Sequence, residues 1–167
     1  ATLSLDPTAA SWTYEQWVEN IENEEVYVEL KLRDESIAKA DREIQRIQNS
    51  RTKAKNNQEL KQAQGFDLTA TDYSELIGYN NEELAQLEIK IAETAAKANI
   101  KGLSDAAKSA YESELAGLEA EKIELITDNV NLRSEIDDRG NVLADRRVDK
   151  LNREKDSIIR DQEMKQT

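Results

Sequence analysis

Residues 104–164 read SDAAKSAYESELAGLEAEKIELITDNVNLRSEIDDRGNVLADRRVDKLNREKDSIIRDQEM, and the interpretation of this run decides the fold. It holds no proline and only two glycines, Gly117 and Gly140. Its apolar residues Tyr111, Leu115, Leu118, Leu125, Leu132, Ile136 and Leu143 recur at steps built from threes and fours. That spacing stacks side chains in one stripe along a helix. With Leu118 at d of a heptad, the a positions are Leu115, Lys122, Asn129, Ile136 and Leu143. The d positions are Tyr111, Leu118, Leu125, Leu132 and Arg139. A stripe this narrow is buried only against other helices. The expected fold is therefore all-α: an elongated antiparallel helical hairpin or three- to four-helix bundle with coiled-coil packing.

Upstream of this run, Ile100-Lys101-Gly102-Leu103-Ser104-Asp105 is the strongest punctuation in the chain. Gly102 fits the left-handed stop of a preceding helix, Leu103 its apolar contact, and Ser104 the cap of the next helix. A link this short makes the flanking helices antiparallel. The stripe Tyr73, Ile77, Leu84, Leu87, Ile91 and Ala98 predicts a helix over about 70–100, opened by Thr69 or Thr71, with Asn80 facing inward. Gly65 closes a first helix over about 11–64, and Phe66 with Leu68 is expected to cap the bundle end. Within that helix Val28, Leu30 and Leu32 alternate with polar residues at a strand's period. No second strand exists to pair with them, so Val26–Leu32 is read as helix, the exception being addition to another chain's sheet edge. Ser11 or Thr13 is the first cap, and residues 1–10, with the only proline, Pro7, read as an extended arm.

Downstream, Asp138-Arg139-Gly140-Asn141 offers two outcomes. A turn there sends a fourth helix back over the bundle, or the helix runs on and residues 142–164 project as a stalk that needs another chain. The chain divides accordingly into the arm 1–10, a bundle 11–138 whose third helix covers about 104–138, and a C-terminal helical extension 139–167. The sparse stripe Val148, Leu151, Ile158 and Ile159 is out of register with the one before it, which favours projection or a kink.

Composition narrows the function classes. The net charge is −12, with 35% charged and 5% aromatic residues, fitting long helices with thin seams better than a compact globule. Residues 1–138 hold 15 Lys/Arg against 29 Asp/Glu, whereas residues 139–167 hold 8 against 6. The acidic body repels phosphate, so no nucleic-acid partner is expected. There is no cysteine or histidine, which removes disulfides, thiol nucleophiles, imidazole bases, Cys/His zinc sites and Glu-x-x-His di-iron sites. Gly65, Gly78, Gly102, Gly117 and Gly140 never come closer than thirteen residues, so no glycine-rich phosphate loop exists. Asp137-Asp138 and Glu22–Glu25 do not resemble a calcium loop. Thin seams offer no desolvated pocket for a catalytic acid. No enzymatic activity, no catalytic or metal-ligating residue and no cofactor are expected. No run reaches the roughly 20 apolar residues of a membrane span. Ala1-Thr2-Leu3-Ser4-Leu5 lacks the basic region and apolar core of a signal peptide, so a soluble protein without a membrane span is expected, its compartment left open.

What remains is contact. Trp12, Tyr14 and Trp17 concentrate aromatic surface at one end, either plugging the bundle or anchoring an interface. Val148, Leu151, Ile158 and Ile159 are the second interface candidates. Asn129, between Leu125 and Leu132, and Asn80 are candidates for fixing register, since a seam asparagine discriminates between pairings; the stem of Lys122 can reach outward. The function expected is a structural or assembly protein acting through helix–helix contacts, a subunit of a large assembly of the virion or secretion-particle type. Its partners are proteins, as a homo- or hetero-oligomer. The alternative is an acidic coiled-coil chaperone or adaptor that binds a basic or apolar partner segment.

Overall fold

A computed structural model describes residues 13–166, except the side chains at 14, 17, 18, 21, 141–145, 165 and 166. It is an all-α helical bundle of α1 (Tyr14–Ala63), α2 (Ala70–Ala98) and α3 (Asp105–Gln166). No strand occurs among the described residues, so Val26–Leu32 is helical. The backbone ladder within one helix satisfies that segment without the neighbour a lone strand would need.

Each helix start has a sequence-encoded cap. The Thr13 amide donates to Gln16 Oε1 at 2.8 Å and the Gln16 amide donates to Thr13 Oγ1 at 3.3 Å, a reciprocal box that occupies orphan donors of the first turn. Thr69 and Asp72 repeat the arrangement for α2, and Ser104 Oγ accepts the Ala107 amide at 3.2 Å for α3. The end of α1 is a Schellman turn. Gly65 has φ +86°, the Phe66 amide donates to the Lys61 carbonyl at 3.0 Å, and the Gly65 amide donates to the Gln62 carbonyl at 3.0 Å. Phe66 does not cap the bundle: it is 63% exposed, whereas Leu68 is buried. The residues with which a Schellman turn aligns Phe66, Leu60 and Lys61, are themselves exposed.

Gly102 also departs from expectation. Helix α2 has already ended at Ala98. Gly102 instead takes the third position of a separate turn, closed by the Leu103 amide donating to the Ile100 carbonyl at 3.2 Å, with φ +89°. A Cβ at this position would lie 3.3 Å from Val26 Cγ2, so glycine answers both the dihedral and the close approach to α1.

The described chain forms two compact units, each drawing on all three helices. One combines α1 as far as Arg51 with Tyr79–Ile126; the other combines Thr52–Gly78 with α3 from Thr127 onward. In the first unit, ion-pair partners on α2 count down as α1 counts up: Arg33 to Glu93 (3.2 Å), Asp41 to Lys90 (2.7 Å) and Arg51 to Glu83 (3.1 Å). Lys97 lies over the Tyr111 ring and Lys122 reaches Glu88, so α3 is likewise antiparallel to α2. Leu87, Leu118 and Leu125 form the core there, with Ile44, Leu84 and Ile91 packed against it. In the second unit Ala54, Leu68 and Leu76 are buried, together with the polar residues Gln58, Asp72 and Asn129.

Burial along α3 follows the heptad. From 111 to 139 the positions that are not exposed are Tyr111, Leu115, Leu118, Lys122, Leu125, Asn129, Leu132, Ile136 and Arg139. These are the a and d positions, polar ones included. The turn at Asp138–Asn141 is not formed, and α3 passes through Gly140 without a break. One glycine costs a helix about 1 kcal/mol, less than ending one helix and nucleating another.

Candidate interaction surfaces

Among the described residues no group of three or more metal-ligating side chains converges, and no helix is long and apolar enough to cross a membrane. A depression of about 420 Å³ lies between Ser36, Lys39, Ala40 and Glu43 of α1 and Gln86 and Ile89 of α2, partly open to solvent. The polar chemistry of the molecule lies instead between helices.

In the first unit, Arg51 of α1 reaches across to α2, donating from Nη1 to Asn80 Oδ1 (3.0 Å) and from Nη2 to Glu83 Oε1 (3.1 Å). Asn80 and Glu83 are 3% and 5% exposed, so this arrangement sits in the seam. Close to the Gly102 turn, buried Lys97 donates to Asp34 Oδ1 at 2.6 Å and stands 4.2 Å from the centre of the Tyr111 ring. One cation thus touches all three helices. On α1, Arg33 between Glu93 and Glu29 has its pKa raised further, first by the hydrogen bond to Glu93.

In the second unit, Asp72 gathers four bonds. Its Oδ2 accepts the Thr69 amide (2.9 Å) and its Oδ1 accepts Lys61 Nζ (3.0 Å). Its amide donates to Thr69 Oγ1 (3.3 Å) and its carbonyl accepts Gln58 Nε2 (3.0 Å). The backbone bond from Thr69, followed by the Lys61 ammonium, holds the Asp72 carboxyl below the ordinary carboxylate range. A lowered folded-state pKa gives stability that is present above the unfolded value and lost as pH falls through the folded one. Asp72→Asn is accordingly expected to lose about 1 kcal/mol at neutral pH. The difference from wild type should shrink once pH falls below about 4, as checked by urea denaturation across pH. Near the same end Arg139 of α3 donates to the Tyr73 hydroxyl at 3.3 Å and lies over its ring.

The candidates named from sequence fall in three groups. Asn80 and Asn129 are buried, at 3% and 2% exposure, in different units. Val148, Leu151, Ile158 and Ile159 lie on α3, where every described position from 146 to 164 is exposed. Trp12 lies outside the described residues, as do the side chains of Tyr14 and Trp17. Arg51, Glu83, Lys97 and Asp72 were not singled out from sequence. The signal existed for the first two, because opposite charges occupy inward positions on neighbouring antiparallel helices.

Comparison with known proteins finds no family model, no curated protein and no solved structure that matches the chain.

Proposed function

We propose that this chain is a structural or assembly protein that works through helix–helix contacts, as a subunit of a large protein assembly of the virion or secretion-particle type, with coiled-coil packing inside and between copies. The observation that carries the reading is the final stretch of α3. Residues 146–164 continue the helix while every one of them is exposed, Val148, Leu151 and Ile158 among them at 55%, 64% and 59%. Helices in water are held mainly by packing of an apolar face, so a helix of this kind is complete only beside another chain. The seams inside the bundle supply the precedent, since heptad-spaced burial already governs how α3 meets its neighbours.

The acidic body favours a second reading, an adaptor that masks a basic segment of a partner. Sedimentation velocity of the protein alone over a range of concentration separates the two. Species larger than a monomer that grow with concentration are expected for the assembly protein. A monomer at every concentration that acquires mass only with a basic peptide, and loses it with salt, replaces that reading with the adaptor.

A further inference from the structure

The least exposed faces of α1 and α3 can be followed beyond Val26 on the one helix and Arg139 on the other. On α1 the seam runs back through Ala40, Ile37, Arg33 and Leu30 to Val26, where the turn at Gly102 meets the helix. Carried upstream in steps of three and four, the same face presents Glu22, Glu19 and Glu15, all exposed. On α3 the seam runs forward to Ile136 and Arg139. Carried downstream, that face presents Arg146, Lys150, Arg153 and Arg160, again all exposed. Among the described residues no ion pair involves any of these seven side chains.

The two extensions match in charge and in spacing. Glutamates stand at 15, 19 and 22 on α1, upstream of Val26. Basic residues stand at 146, 150, 153 and 160 on α3, with uncharged Ser157 between the last two. The three glutamates and the first three basic residues both step by four and three. Two helices laid parallel in a heptad seam bring such series side by side. Pairing in this sense sets Glu15 beside Arg146, Glu19 beside Lys150 and Glu22 beside Arg153.

We propose that the basic stripe at the end of α3 of one copy docks on the acidic stripe at the start of α1 of a second copy. Each chain carries one stripe of each sign, so the contact is head-to-tail and leaves a free stripe at either end of any assembly. Like charges repel when two tails or two starts meet, which selects the heterologous contact over a symmetric one. The exposed apolar residues Val148, Leu151 and Ile158 lie on the opposite side of α3 and stay available to a lateral neighbour. The inference rests on the assembly reading above and names its partner as another copy of the chain.

Sedimentation velocity of the full chain at low salt tests the contact with three variants. The first reverses the tail (Arg146→Glu, Lys150→Glu, Arg153→Glu), the second reverses the start (Glu15→Lys, Glu19→Lys, Glu22→Lys), and the third carries both sets. Circular dichroism confirms that helicity is kept, as expected for exposed positions. Each single reversal should weaken self-association by at least about tenfold, from the loss and inversion of three charge pairs. The chain with both sets should recover it, and wild-type association should fall as salt rises to about 0.5 M. If wild type associates but neither reversal weakens it, or the double set fails to recover it, this contact is wrong while the assembly reading stands. A wild-type chain that stays monomeric overturns both.

Discussion

Replacing Leu87 with alanine is expected to lower the unfolding free energy by about 3 kcal/mol. Leu87 is 2% exposed and forms one buried cluster with Leu118 and Leu125 of α3, against which Ile44 of α1 packs. The loss combines the transfer free energy of the removed carbons with the cavity they leave, because helices already held by ion pairs on both sides cannot close the gap. Urea denaturation followed by circular dichroism gives the value. A loss below about 1 kcal/mol would mean that the three helices do not share a packed centre at this level. Ile123→Ala is the control: Ile123 is 64% exposed on the same helix as Leu118 and Leu125, and only a small change is expected.

Glu83→Ala is the second large effect, at about 2 kcal/mol, and it arises from charge rather than volume. The carboxylate is almost fully buried and its partner Arg51 has a side chain only 17% exposed. Truncation leaves the guanidinium desolvated with the neutral oxygen of Asn80 as its remaining cross-helix acceptor. The pair as a unit contributes far less than this, because burying both charges costs nearly what their attraction returns. The double variant Arg51→Met/Glu83→Leu should therefore be markedly more stable than Glu83→Ala. A double-mutant cycle with chemical denaturation reads the coupling. Additive losses would show that the two side chains act separately.

These two residues illustrate what sequence does and does not expose. The heptad phase of α3 was legible because an a/d stripe is a property of one helix, and burial from Tyr111 to Arg139 reproduces it position by position. Lys122, Asn129 and Arg139 are not fully exposed because the helix axis, not residue polarity, sets which face turns inward. The caps at Thr13, Thr69 and Ser104 were equally legible, since each involves side chains within three residues of one another. Gly102 was legible as a glycine-dependent turn but not in its full role, because Val26 is far away in sequence. Phe66 departs from its hydrophobicity for a related reason: its side chain stays 63% exposed beside the exposed last turn of α1.

For this protein, then, local chemistry in the chain determined the all-α class, the helix starts, the turns at Gly65 and Gly102, and the faces along which the helices are buried. Those follow from hydrogen bonds and periodicities that close within a few residues. Tertiary structure alone decided that Arg51 meets Asn80 and Glu83, that Lys97 joins Asp34 and Tyr111, and that α3 continues through Gly140 with every described position from 146 to 164 exposed. Partners such as these depend on the register between helices, a quantity that no single helix encodes. The same limit leaves the meeting of the acidic stripe at Glu15–Glu22 with the basic stripe at Arg146–Arg153 to the register between copies.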